Sequence, residues 1–167
     1  MDTLGQAERE MLDWLDRVRG DLGLVALRPI PCLMAAAWAK CGEVAERGTP
    51  AHTGGRWGSP SRLQAAFGLR ARTMGAENLA AYADARRAFL ALMASPGHRA
   101  NIVHPAHDAV GVAVRPWPGT GRGVAVCQEF AGGVIGCDGA SGGPVPAVVA
   151  PLDWLRGRKD GLEGGRG

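Results

Sequence analysis

Nowhere does the chain approach the roughly 20 consecutive apolar residues that a membrane-crossing helix requires. Met1-Asp2-Thr3 leads straight into a charged helical pattern, without a basic n-region or an apolar h-region. No signal peptide is therefore present, which leaves two readings: a cytoplasmic protein, or a chain whose leader is missing. None of the four cysteines (Cys32, Cys41, Cys127, Cys137) forms a CxxC, which argues against a zinc knuckle or a thioredoxin-like site. The charge imbalance is small, +3 from 19 basic and 16 acidic residues. Arg70, Arg72, Arg86, Arg87 and Arg99 are interleaved with apolar residues, as on a solvated face, so no nucleic-acid partner is expected. Internal repeats and regular βαβ alternation are also lacking, which excludes a solenoid and a doubly wound sheet. Aromatics make up only 5% of the chain.

What is there suits one domain followed by a tail. The 167 residues are 46% hydrophobic, enough for a real core, and rich in alanine and glycine, which favours close helix packing and long loops. Thr3-x-x-Gln6 reads as a capping box, and Met11, Trp14, Leu15, Val18 and Leu22 recur at helical spacing up to Gly20 and Gly23. A second helix opens at Pro31, carries Met34, Ala37, Trp38, Cys41, Val44 and Ala45 on one stripe, and stops at Gly48. Residues 48–58 read as loop. Ser59-Pro60 begins a short helix to Phe67, and Asp84 caps another that Ser95-Pro96-Gly97 ends. Ala109–Arg115 and Gly123–Phe130 are the strand candidates, joined through residues 116–121 as a hairpin. From Gly132 the composition turns linker-like, and residues from about Gly139 are expected to pack poorly. Helices first and a hairpin last predict an α+β fold.

Cys32 and Cys41 share the second helix, about 13 Å apart at ~1.5 Å per residue, too far to bridge. Any disulfide has to tie that helix to the C-terminal segment, and a Cys32–Cys137 link would mark an oxidising compartment. Cys41 and Cys127 read as small buried hydrophobes, and a thiol inside a valine-rich strand is packed and inert rather than nucleophilic.

Three polar residues sit in loops or at helix ends, where chemistry is usually displayed. They are His52 in Ala51-His52-Thr53-Gly54, Glu77 in Gly75-Ala76-Glu77-Asn78-Leu79, and His98 in Ser95-Pro96-Gly97-His98-Arg99-Ala100-Asn101-Ile102. Two imidazoles and a carboxylate can hold a divalent cation or act as acid and base. By spacing alone, each equally serves to cap a helix or tie down a loop. Asn101 is positioned to bond loop backbone and fix His98.

The order of these blocks resembles the CAP superfamily, which includes cysteine-rich secretory proteins, insect venom antigens and plant pathogenesis-related proteins, and in particular its bacterial SCP-like branch. The similarity runs over about residues 8–131: Asp16-Arg17-Val18-Arg19 with Gly23-Leu24; Leu27, Leu33 and Ala37; His52-Thr53-Gly54 with Arg62, Phe67-Gly68 and Glu77-Asn78-Leu79; Ser95 to Ile102 with Val110-Gly111-Val112; and Gln128 with Phe130. The resemblance implies a three-layer α-β-α sandwich around a central antiparallel sheet, as a domain over 1–135 with a Gly/Pro-rich tail over 136–167. It carries the family's cavity onto His52, Glu77 and His98, the implied ligands of a weakly bound zinc or other divalent cation, with Asn78, Ser95 and Gln128 lining the site. It also implies a secreted or envelope-associated monomer that takes a small-molecule, lipid or other envelope ligand, since some relatives bind metal and some eukaryotic ones bind lipid or sterol. A zinc-dependent hydrolase using the same cavity, or a partner-binding module that ignores it, are the rival readings. Three positions depart from the family: Ser95 stands where a second cavity glutamate is common, Leu92 replaces a tryptophan, and Asp16 replaces an asparagine.

Other strings imitate sites. Cys137 to Pro144 looks like the serine loop of trypsin-like proteases, but Ala140 replaces the aspartate of that motif and the chain has too few strands for two barrels, so Ser141 reads as tail. His104-Pro105-Ala106-His107 reads as a solvated loop, with Pro105 forcing a turn that can bring both rings towards His98. Trp14 and Trp38 read as core, whereas Trp57, Trp117 and Trp154 fall in loops where they can line a groove.

Overall fold

Local chemistry starts and stops most of the helices in the computed structural model, whose described residues are 5–117 and 123–138. Helix α1 (Gln6–Asp21) begins at Gly5, which makes no side-chain cap; Thr3, where the capping box is expected, lies outside the described residues. Strand β1 (Arg28–Pro29) leads into α2 (Pro31–Arg47), which has Pro at its first position and ends at Gly48 in the left-handed conformation, φ 66°. Ser59 caps α3 (Pro60–Ala66) by accepting the Arg62 N–H at 3.3 Å. Strand β2 (Leu69–Tyr82) follows, and Asp84 then caps α4 (Ala85–Ala94), accepting the Arg87 N–H at 2.7 Å. Pro96 does not merely end α4; it opens a further helix, α5 (Pro96–Ile102). Strands β3 (Ala109–Pro116) and β4 (Val124–Cys137) complete the described elements.

The four described strands form one sheet in the order β1-β3-β4-β2. Pairs β2/β4 and β3/β4 are antiparallel, but β1 runs parallel to β3, with Arg28 opposite Ala109 and Pro29 opposite Val110. The sheet is thus mixed, not wholly antiparallel as expected. The reason is local: β1 is two residues long, and Pro29 has no N–H to donate, so it fits only at an edge. Its neighbours Arg28 and Ile30 donate to Asp108 O and Val110 O at 3.0 and 3.2 Å. The fold is the expected α+β sandwich. Met11, Leu15, Phe89, Leu92 and Ile102 from α1, α4 and α5 pack with Val110, Val112, Val126 and Phe130 on one face. Ala37, Cys41 and Val44 from α2 pack with Leu79, Ala113, Ala125 and Cys127 on the other.

Strand β2 does not declare itself by alternation, because its burial runs unbroken from Glu77 to Ala80. Strand β4 continues through Gly132, Gly133 and Gly136, where composition alone reads as linker, because it is paired to β2 as far as Leu69↔Cys137. That pairing delivers Cys137 to Cys32, and the two form a disulfide across 105 residues with Cα atoms 5.7 Å apart. Cys41 and Cys127 are free and buried. Ser141, Trp154 and the tail from Gly139, expected from the sequence to pack poorly, lie outside the described residues.

A buried arginine ties the loop after α5 to α1. Arg19 is 0% exposed and donates to Val25 O (2.8 Å), Ile102 O (2.8 Å), His104 O (3.0 Å) and His107 O (2.8 Å). Ile102 O, at the end of α5, is one of the carbonyls that a helix leaves without an intrahelical partner. Each such charge-assisted bond is worth roughly 1.5–3 kcal/mol. His107 is correspondingly 2% exposed, stacked on Phe130 with ring centroids 5.6 Å apart and bonded through Nδ1 to Asn101 O, rather than part of a solvated loop.

Helix α2 lies directly on β3 at Gly111, where a Cβ would meet Leu33 O at 2.0 Å and Met34 N at 2.6 Å. Both are backbone atoms and cannot step aside. Gly111→Ala is expected to cost about 3 kcal/mol in chemical denaturation, at the upper end for overpacking. At Gly97 in α5 a Cβ meets nothing within 4 Å, so Gly97→Ala is expected to be neutral or to stabilise by up to about 1 kcal/mol.

Candidate functional site

Successive side chains of a strand point to opposite faces, and at Glu77-Asn78 the edge strand β2 uses both. On the α2 face, Glu77 Oε1 bonds His52 Nδ1 at 2.7 Å. On the α4/α5 face, the Asn78 amide donates to His98 O and to Gln128 Oε1, both at 3.0 Å. His52 arrives on the loop after α2 and His98 on α5, so the two imidazoles flank the same strand and their ring centroids lie 6.4 Å apart. Ser95 Oγ bonds His98 Nδ1 at 2.9 Å. All six residues singled out from the sequence therefore meet around this one strand. Asn101 acts one step further back than expected: it donates to Asn78 Oδ1 at 2.9 Å and to Glu77 O at 3.3 Å, and so orients the amide that holds the His98 backbone.

The two faces differ in access. The His52 side chain is 50% exposed, whereas that of Glu77 is 1% exposed, so the imidazole is displayed on a buried carboxylate. Burial pushes the His98 pKa below its ordinary value, and the neighbouring His52 charge adds to that. Each ring commits Nδ1 to a protein partner, leaving Nε2 for a ligand. Next to them is a cavity of about 290 Å³, walled by Pro50, strand residues 79–82, Ala91 and Leu92, with Ser95 and His98 in its lining. Leu92, which departs from the family's tryptophan, belongs to this wall.

Beneath Glu77 lies a residue that the sequence reading passed over. Glu129 stands directly opposite Glu77 in the β2/β4 register, one position beyond Gln128, and is 0% exposed. Gln64, also fully buried, donates to Glu129 Oε2 at 2.9 Å. Glu77 Oε2 and Glu129 Oε1 are buried without another hydrogen-bond partner. Burial, and then the charge of Glu77, push the Glu129 pKa well above the ordinary carboxylate value. The signal was available: a glutamate inside a valine-rich strand between Gln128 and Phe130 is a charge at a core position, and lone buried charges are rare.

Several decoys resolve. His104 stacks on His107, with centroids 4.5 Å apart. Trp57 packs on Phe67 at 5.2 Å, and Trp117 packs against the cluster of Ala37, Cys41 and Cys127. The buried Cys127 thiol is pushed well above its ordinary pKa, chiefly by burial, which opposes a nucleophilic role.

The carboxylate pair predicts a pH signature. Glu129 keeps its proton in the folded chain and loses it on unfolding at neutral pH. The folded state thus binds the extra proton, and this contribution to stability falls as pH rises above the ordinary carboxylate range, towards the raised folded value. Glu129→Gln needs no proton. It is expected to raise the thermal midpoint at pH 8 and to raise it less at pH 5, with midpoints measured across that interval. The His98 and His107 values, both lowered chiefly by burial, have the opposite sign: their contribution is full above about pH 6.5 and is lost as pH falls below it.

Residues 12–130 match the model of the cysteine-rich secretory protein family, CAP. Among solved structures, an outer surface protein from Borrelia burgdorferi is similar at a TM-score of 0.63 and 20% identity, covering 79% of this chain and 96% of that one. An extracellular protein containing an SCP domain from Bacillus anthracis is similar at 0.63 and 19%, covering 75% of this chain and 40% of that longer one. Venom allergen-like protein 4 from Schistosoma mansoni is similar at 0.57 and 15%, covering 84% and 97%. No curated protein matches. Likenesses at these identities speak for the fold alone. The family match spans well over half of the chain and includes His52, Glu77, His98 and Glu129, and the chain belongs to the cysteine-rich secretory protein family, CAP.

Proposed function

We propose that this CAP domain binds a small ligand at the mouth between His52 and His98, aided by a weakly held divalent cation, and that it works outside the cytoplasm at the cell envelope. The observation that carries the reading is the 2.7 Å bond from His52 Nδ1 to a buried carboxylate, with the second imidazole 6.4 Å away beside a cavity of about 290 Å³. An Nδ1–carboxylate bond fixes the ring and its tautomer, leaving Nε2 as the outward ligand atom, as in many histidine metal sites. Ser95 Oγ holds His98 Nδ1 at 2.9 Å and so leaves its Nε2 outward as well. Among the described residues no group of three or more His, Cys, Asp or Glu is arranged to hold a metal. The fit is therefore to two imidazole nitrogens completed by water, with Glu77 orienting His52. Such a cation would supply a positive centre for an anionic or carbonyl group of the ligand. The wall of Ala80, Ala81, Ala91 and Leu92 suits an apolar portion of the same molecule.

The Cys32–Cys137 disulfide favours an oxidising compartment. The Borrelia and Bacillus relatives are described as an outer surface and an extracellular protein, which supports the same placement. No described helix is long and apolar enough to cross a membrane.

Thermal shift is the direct assay, because a ligand of the native state raises the midpoint by mass action. Zn²⁺ is expected to raise the midpoint of the wild type at pH 7.5, to lose its effect in acid as His98 protonates, at a pH below the ordinary imidazole value because burial lowers its pKa, and to leave His52→Ala/His98→Ala unmoved. Lipid extracts and peptidoglycan fragments tested in the same format identify the ligand class. A wild type that shifts with neither Zn²⁺ nor any of these overturns the reading, and so does a double variant that shifts as much as the wild type.

A further inference from the structure

The segment that carries His52 has little to stiffen it. Between α2 and α3 it contains Gly54, Gly55 and Gly58, with φ of 76° at Gly54 and 74° at Gly58. A chain of this composition does not by itself hold an imidazole within hydrogen-bonding range of a buried carboxylate. Its anchor is Glu43, on the last turns of α2, with a side chain only 10% exposed. Glu43 Oε1 accepts the Arg56 backbone N–H at 2.8 Å and an Arg47 guanidinium N–H at 3.4 Å. Glu43 Oε2 accepts from Lys40 Nζ at 3.5 Å, and the Lys40 side chain is 3% exposed. Both carboxylate oxygens are thus used, one on the loop and one on a buried ammonium.

Gly55 completes the contact. A Cβ there would lie 1.4 Å from Glu43 Oε1 and 2.7 Å from Arg47 Nη1. Only a residue without a side chain lets the loop close on the carboxylate. We infer that Glu43, seated against Gly55, is the positioning residue of the site: it clamps the segment around residues 55 and 56 to α2 and thereby holds His52 on Glu77. The inference deepens the ligand-site reading by naming what orients its more exposed imidazole. The clamp itself can be tested without ligand or metal.

The experiment uses the full chain in chelator-treated buffer at fixed pH, reading ring ¹⁵N shifts of the histidines by NMR. In the wild type His52 is expected as the Nδ1–H tautomer, as its bond to Glu77 requires. Glu43→Ala removes the acceptor, and Gly55→Ala pushes the carboxylate aside without changing charge. Both are expected to release His52 to the mixed-tautomer shifts of a free imidazole, while His107 keeps its wild-type shifts. Glu43→Gln retains an oxygen for Arg56 N–H and is expected to restore the wild-type His52 pattern. Should Glu43→Ala not fold, Gly55→Ala decides alone, because its collision is with the flexible end of a side chain. Wild-type His52 shifts in Gly55→Ala overturn the inference, as do His52 and His107 shifts that move together. A wild type that binds no Zn²⁺ or envelope ligand, yet loses its His52 tautomer in Gly55→Ala, separates a wrong ligand reading from a correct clamp.

Discussion

The site depends on one constraint, the alternation of side chains along an edge strand. At Glu77-Asn78, β2 sends a carboxylate to one face and an amide to the other, and each reaches a different histidine segment. Because β2 is the last of the described strands in the sheet, no further described strand separates the two segments. They approach each other around its outer side, and the imidazoles end up 6.4 Å apart. In a central strand the same dipeptide would bond to two layers that never meet. A one-residue slip in the β2/β4 register would exchange the two faces and dismantle both contacts at once.

That strand is held by buried polar pairs rather than by apolar packing alone. Asn78 faces Gln128 and Glu77 faces Glu129 across the β2/β4 ladder. Each pair is closed by a third residue, Asn101 for the amides and Gln64 for the carboxyls. Buried polar groups are costly unless bonded, so these networks specify register more sharply than valines would. The Glu77–Glu129 pair carries the larger demand, since two carboxyls facing each other out of water cannot both be ionised. With the proton on Glu129, Glu77 is free to accept from His52.

Around this centre the loops are pinned individually. Arg19 gathers four carbonyls from the segments after α1 and α5. Cys137 fastens the end of β4 to the start of α2. Glu43 gathers the glycine-rich loop. In a domain with few aromatics and many glycines, such polar and covalent ties do what large side chains do elsewhere, and two of them lie next to the segments that carry the histidines.

Much of this was legible in the chain itself. Pro31 and Gly48 bound α2, Ser59 and Asp84 cap their helices, and Val110, Val112 and Val126 mark strand positions, because these preferences act over a few residues and need no partner. The blocks around His52, Glu77 and His98 identified the family from the chain alone. What the chain could not announce rests on contacts between distant segments. Strand β2 was hidden because burial from Glu77 to Ala80 erases the alternation that betrays a strand. The glycines of β4 read as linker until β2 pairs with them. His107 reads as solvated loop until Arg19 draws its carbonyl inward. The roles of Glu129 and Glu43 are set only when the register places Glu129 against Glu77 and Gly55 closes on Glu43. Sequence alone determined α1 to α4, the cysteines unable to bridge and the chemistry on offer, but not α5. Tertiary structure alone decided which carboxyl keeps a proton and which holds a loop, because desolvation and hydrogen bonding are properties of neighbours that the chain supplies only once it has folded.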